Sequence, residues 1–577
     1  MKLRLAFFAL CVSVLTACGF GRVTIVVTAT SSPYPTPTLP PTHIPTSTLP
    51  PATATPEPPT ATPVPVGVPL WMAPNVPPEF QQALDPLVRS GQYAWKSEAE
   101  ARIKLISGKG DPASLTAQWV YVPVVPFPTV ADDVRWEDIR RYWKGDTAAL
   151  ASLSGNKQPP VFVAASTTIK WLTDLLGTAS PNVKIESVPP DGVVTTLWLR
   201  RPAAWSLVPF NRLDPAMKAL TLDGQSVFNR ALALDKYPLV ETFAFTGDSQ
   251  LIPGVMDSVK KTGKWLTTNR DLSRMTVIVM TGVTALTRAT AYEMEIKGIT
   301  LPARDILPFL QDADFVHTSN EVAFAANCPY PNPSYAATGL RFCSRDSYLE
   351  LLKTIRLNIV ELTGNHVNDW GTDAFAHTLD IYDANKMLYY GGGRNDEDAR
   401  KARTIVHNGN TVAFIGCNPA GPAPAWATTD QAGSAKCDDT FIAQEIQRLK
   451  AAGDVVVMSL QYQEYYQYDA PADQVAFFGK YAQMGADLVM GSQAHQPQGF
   501  AFTGNAFIHY GIGNIFFDQM DALATRQMFA DKLIFYEGRH VSTVLFTGLN
   551  EDYSRPRPMT PAERSAFLQT IFKASGW

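Results

Sequence analysis

Two polar clusters stand directly behind apolar runs in the second half of the chain. Asn320-Glu321 closes a stretch that begins at Ala313, and Asn365-His366 follows Leu357 to Leu362, with Asp369 three residues further on. An imidazole can move a proton near neutral pH, and carboxylate and amide oxygens can accept hydrogen bonds or hold a cation. Glu464 and His495 stand in the same position relative to later apolar runs, Asp454 to Leu460 and Ala486 to Met490. A further run, Phe507 to Tyr510, leads into Gly513-Asn514-Ile515-Phe516-Phe517-Asp518. Polar residues collected at the ends of successive strands are where α/β folds build their sites. Taken alone, a histidine such as His366 is more often structural, satisfied by its neighbours.

The elements that must position these groups read as buried strands. Met275-Thr276-Val277-Ile278-Val279-Met280 is an apolar run ending at Thr281-Gly282, and the later runs have the same length and character. Between about Gly67 and Gly263, short apolar runs such as Trp119 to Val125 and Val161 to Ala164 alternate with helical patterns such as Trp136 to Trp143. That is an α/β rhythm. With 577 residues, 46% of them hydrophobic, the chain can fill more than one sizeable core. A net charge of −4 supplies no basic field, so binding to nucleic acid is not expected.

At the N-terminus, Lys2 and Arg4 precede an apolar run from Leu5 to Leu15 that is too short to span a bilayer. The tetrad Leu15-Thr16-Ala17-Cys18 resembles the lipobox of bacterial lipoproteins, which implies cleavage of residues 1–17 and acylation at Cys18. Residues 18–66, rich in Thr and Pro, read as a semi-rigid extended linker from that lipid anchor. The expected location is extracytoplasmic, on a membrane surface. Cys11 leaves with the signal, so Cys328, Cys343, Cys417 and Cys437 remain in the body. An even number in an exported chain suggests disulfides. Each of the pairs Cys328/Cys343 and Cys417/Cys437 brackets a loop rich in Gly, Pro or Ala, although four cysteines allow three connectivities. A zinc site is the alternative, but no Cys-x-x-Cys spacing supports it.

Two resemblances extend this reading. The segment Tyr121 to Val134 running into Ile139 to Asp146, together with Tyr237-Pro238-Leu239-Val240, resembles periplasmic substrate-binding proteins, which implies a smaller α/β domain over 67–263. Residues 274–577 resemble the CapA family. The residues that carry this are Asn320-Glu321, Gly364-Asn365-His366-Val367-Asn368-Asp369-Trp370-Gly371, Gly391-Gly392-Gly393-Arg394-Asn395, Glu464-Tyr465, Gly485 to Gly491, His495 and Tyr510 to Phe516. Members of that family are linked to poly-γ-glutamate capsule synthesis, and their fold resembles the calcineurin-like metallophosphoesterases. The resemblance therefore implies an α/β/β/α sandwich, with an anionic surface polymer or its synthesis machinery as partner.

The departures from the family pattern fall on the chemistry. The family's Gly-Asp after the first strand is Gly282-Val283 here, its fourth motif begins with Gln461 in place of histidine, and its fifth reads Gln493-Ala494-His495. A valine cannot coordinate a metal, and a glutamine amide is a far poorer ligand for a transition metal than imidazole. For a metal-assisted hydrolase, the resemblance makes His366 a proton donor oriented by Asp369. Asn320, Glu321, Asn365, Glu464 and His495 would then be ligands to manganese, zinc or iron. The competing readings are a degenerate site that binds or anchors polymer without cleaving it, and a solute receptor in which the first α/β domain captures a small ligand. Gly391-Gly392-Gly393 reads as a turn, since no P-loop Lys-Ser/Thr follows, and the tyrosines at 462, 465, 466 and 468 read as rim packing or a stacking surface for polymer.

Overall fold

The computed structural model describes residues 67–108, 110, 116–155, 158–334 and 339–577. The expected signal peptide, Cys18 and the linker lie outside the described residues. The described residues from 67 to 577 form one compact unit. Among the described residues, no helix is long and apolar enough to cross a membrane.

The first part of this unit is built on a nine-stranded sheet whose long strand, Thr116–Pro126, joins its two halves. Residues 116–120 of that strand pair antiparallel with Val240–Gly247, and residues 121–124 pair antiparallel with Ala204–Pro209. One half is covered by the helices Pro78–Arg89 and Ile252–Thr262, which bury Phe80, Leu84 and Val255 against Leu70, Trp119 and Phe243. In the other half, Phe162 and Trp205 pack with Tyr142 and Trp143 of the helix Trp136–Trp143.

The second part holds two sheets face to face. In the eight-stranded sheet, Leu388–Tyr390, Leu357–Glu361, Phe315–Asn320 and Met275–Thr284 run parallel, and Gln527–Tyr536, Arg539–Glu551 and Arg555–Pro558 continue it antiparallel. In the six-stranded sheet, Asn410–Cys417, Val455–Leu460, Leu488–Gly491 and Ala506–His509 are parallel neighbours, with antiparallel strands at both edges. Alternation along each strand sets the layering. On the first strand Ile278 and Met280 enter the core between the sheets, whereas Val277 and Val279 face the other way into the core that includes Leu351, Leu379 and Tyr382. On Val455–Leu460 the same division sends Val455 and Val457 inward, and Val456, Met458 and Leu460 against the helices Asp439–Ala452 and Ala472–Met484. The result is an α/β/β/α sandwich.

One expected boundary moves. The strand that the sequence closes at Thr281-Gly282 continues to Thr284, and all ten of its residues are buried. The reason is a close approach of two backbones: a Cβ on Gly282 would lie 1.8 Å from the carbonyl oxygen of Gly513. Glycine at that point lets Val283 and Thr284 pair with Asn514 and Phe516, so the pairing outlasts the apolar run.

Candidate functional site

Parallel strands bring their C-terminal ends to one edge of each sheet, and because the two sheets face each other those edges meet. From the eight-stranded sheet come Asn320-Glu321 and the loop carrying Asn365, His366 and Asp369. Gly364 makes the junction between them possible, since a Cβ there would lie 2.9 Å from the Cα of Glu321. From the six-stranded sheet come Gln461 and the segment Ser492 to His495.

The centre of the site is an amide. Nε2 of Gln461 donates toward Glu321 Oε1 and Asn365 Oδ1, each at 3.2 Å, and lies in close contact with Gln493 Oε1. Its own Oε1 is 3.0 Å from the hydroxyl of Ser492. Three oxygens from three separate chain segments thus converge on one NH2 group.

Behind this amide is a carboxylate that the sequence reading missed. Glu361 is 2% exposed and accepts from Ser492 at 2.6 Å and Thr363 at 2.5 Å. Burial pushes its carboxyl up to about 7, against the two hydroxyl donors that favour ionisation. His317 lies 3.8 Å from it, but burial drives that imidazole down to about 3 and leaves it neutral, bonded to Tyr390 at 2.8 Å. The two are therefore not an ion pair. The signal in the sequence was a lone glutamate inside Ile359-Val360-Glu361-Leu362, an ionisable group at a position that must be buried.

His366 and Asp369 are in contact, Nδ1 to Oδ2 at 2.7 Å. The same carboxylate oxygen accepts the backbone N–H of Phe342 at 3.0 Å, and the Phe342 ring lies 4.6 Å from the imidazole. Burial opposes charge on His366, but the Asp369 hydrogen bond and the nearby carboxylates of Glu321 and Asp369 outweigh it, so its pKa is raised. His495 contacts Asn514 Oδ1 through Nδ1 at 2.8 Å, and its Nε2 lies 3.6 Å from Glu464, which also accepts from Tyr466. Asn320 turns elsewhere: its amide donates to Tyr382 at 2.8 Å and to the carbonyl of Val322 at 3.0 Å. Tyr462 and Tyr465 both donate to Asp473, which places them on the rim.

The cysteines form two disulfides, Cys328–Cys343 and Cys417–Cys437, with Cα separations of 5.8 and 5.0 Å. The first holds the chain next to Phe342. Beside it, Arg288 takes a left-handed φ of 48°, pairs with Asp518, and lies between the rings of Phe342 and Phe517 at 5.0 and 4.7 Å. Arg288 and Asp518 are 230 residues apart, so no local spacing pointed to the pair.

The donor set does not fit a pair of metal ions. Val283 lies in an apolar cluster with Ala285, Val322, Phe342 and Phe517. Of the oxygens around the Gln461 amide only that of Glu321 belongs to a carboxyl group, and neutral amides offset little of the repulsion between two cations. Among the described residues no group of three or more His, Cys, Asp and Glu side chains is gathered where it could hold an ion.

Two packed mixed sheets flanked by helices, with polar groups at the parallel strand ends, define an α/β/β/α sandwich. Residues 242–519 match the family described as "Bacterial capsule synthesis protein PGA_cap". It is 25% identical over 265 residues to the capsule biosynthesis protein CapA of Bacillus anthracis, covering 45% of this chain and 63% of that relative. The chain thus spans less than two thirds of that relative's length. Among solved structures it is similar to the NAD nucleotidase of Haemophilus influenzae, at 11% identity and a TM-score of 0.30, covering 52% of this chain and 56% of that one. It is also similar to an ABC-type phosphate transport receptor from Vibrio cholerae, at 14% identity and a TM-score of 0.30, covering 34% of this chain and 95% of that one.

Proposed function

We propose that this chain is an accessory protein of anionic capsule or envelope polymer synthesis, of the poly-γ-glutamate kind, that binds or anchors the polymer and does not cleave it. The observation that carries this is the Gln461 amide, whose N–H groups point at the oxygens of Glu321, Asn365 and Gln493. A cation there would have to displace that amide and accept mostly neutral ligands. What remains is a polar cleft with a protonatable imidazole, side-chain amides and a rim of tyrosines, groups that can donate to carboxylates. Extracytoplasmic attachment through an acylated Cys18 is part of the same proposal.

The test is binding of fluorescently labelled poly-γ-glutamate in EDTA, with the polymer's chain length measured afterwards in added manganese, zinc and iron. Binding that survives EDTA, with length unchanged, is expected. Metal-dependent shortening would replace this proposal with the hydrolase reading, which draws on the intact 2.7 Å contact between His366 and Asp369. For the anchor, Cys18→Ser should move the protein from the membrane fraction to the soluble extracytoplasmic fraction.

A further inference from the structure

Beside the Cys328–Cys343 disulfide lies a cavity of about 280 Å³ that takes no part in the amide cluster. Three arginines line it, Arg288, Arg341 and Arg345, and among the described residues no carboxylate does. Each guanidinium has an aromatic ring beneath it: Arg341 lies over Trp370 and Arg345 over Tyr330, both at 5.9 Å. The counter-charges sit behind the wall, with Asp518 on Arg288 and Glu295 on Arg345 at 2.6 Å. Arg341 differs. It donates to the backbone carbonyl of Asp369 at 3.1 and 3.0 Å, and among the described residues no carboxylate lies within ion-pair distance of it. That carbonyl belongs to the partner of His366, and the next residue, Phe342, donates to the Asp369 side chain. The cavity is therefore joined to the strand-end site through Asp369, which Arg341, Phe342 and His366 all contact.

We propose that this cavity is a docking subsite for a polycarboxylate chain, with Arg341 as its principal contact and Arg345 and the ring of Trp370 beside it. The proposal rests on the polymer-binding reading above and assigns it a surface outside the strand-end site. Arg341 uses Nε and Nη2 on the Asp369 carbonyl and Arg345 uses Nη1 on Glu295, so each keeps further N–H groups that can donate to carboxylates, and a wall without acids among the described residues does not repel them. Repeated carboxylates could engage Arg341 and Arg345 in succession while the chain continues toward His366.

The experiment is fluorescence anisotropy of a labelled short poly-γ-glutamate with the full chain, its Arg341→Glu, Arg341→Lys and Arg345→Gln variants, and Arg448→Glu as a control on an exposed helix elsewhere. Arg341→Glu should weaken binding about tenfold or more, Arg341→Lys and Arg345→Gln by less, and Arg448→Glu not at all. Binding should also weaken with added salt. Unchanged affinity in Arg341→Glu and Arg345→Gln, with wild type still binding, overturns the subsite and leaves the polymer-binding reading standing. Absence of wild-type binding overturns both. Tighter binding of polyphosphate than of poly-γ-glutamate overturns the assignment to carboxylates.

Discussion

Glu361 makes the sharpest residue-scale prediction. Its folded pKa is raised from 4.5 to about 7, so its contribution to stability is fully present below pH 4.5 and is lost as pH rises through 7. The loss amounts to about 3 kcal/mol between those limits. Glu361→Gln removes the ionisation and should flatten the denaturant midpoint measured from pH 5 to 8, with the variant more stable than wild type at the alkaline end. Glu241, buried in the first sheet and also raised to about 7, accounts for the slope that remains. A wild-type profile that is flat, or that rises across this window, would contradict the burial of both carboxyls. At His366 the sign runs the same way: the pKa is raised, so the stabilisation is present in acid and is lost as pH rises through the folded value. Asp369→Asn should lower the His366 pKa in an NMR titration and cost about 1–2 kcal/mol, because a charge-assisted bond becomes a neutral one.

At the scale of elements, the disulfide Cys328–Cys343 fixes the segment that presents Phe342 to Asp369. Replacing both cysteines by alanine should cost about 3 kcal/mol, since the bond closes a loop of 15 residues. It should also lower the His366 pKa toward that of the Asp369→Asn variant. An unchanged titration would mean that the loop holds its position without the bond. The elements themselves were largely legible, because buried strands such as Met275–Thr284 and Val455–Leu460 are continuous apolar runs that end in polar residues. The ordered motifs from Asn320 to Phe516 were legible for the same reason, being local in sequence. What sequence could not supply is contact between distant segments. Asn320 stands beside Glu321 in the chain, yet its amide is taken by Tyr382 on the helix Thr372–Ala384. Gln461 reads as a lost ligand, and only the facing of two sheets shows that its N–H groups meet the oxygens of Glu321 and Asn365. Arg341 and Trp370 are 29 positions apart and form one wall only because a disulfide and a loop fold them together.

At the scale of the molecule, the first sheet and the sandwich share a core. Phe127, one residue beyond the strand Thr116–Pro126, packs among Phe500, Phe502 and Phe507 of the sandwich at 5.4 to 5.7 Å. Asp132 joins the two parts electrostatically: burial works against its charge, but Arg564 and Lys218 hold its carboxyl down at about 2. Calorimetry of the full chain should therefore show one main unfolding transition over both parts, and Phe127→Ala should lower stability by about 3–5 kcal/mol and begin to separate them. Two independent transitions in the wild type would contradict a shared core. The most direct test of the site is elemental analysis of the full chain purified from medium supplied with manganese, zinc and iron, beside Glu321→Ala and His495→Ala. With the Gln461 amide seated among the site oxygens, all three proteins should carry far less than one ion per chain; near-stoichiometric metal in the wild type, lost in either variant, would contradict it.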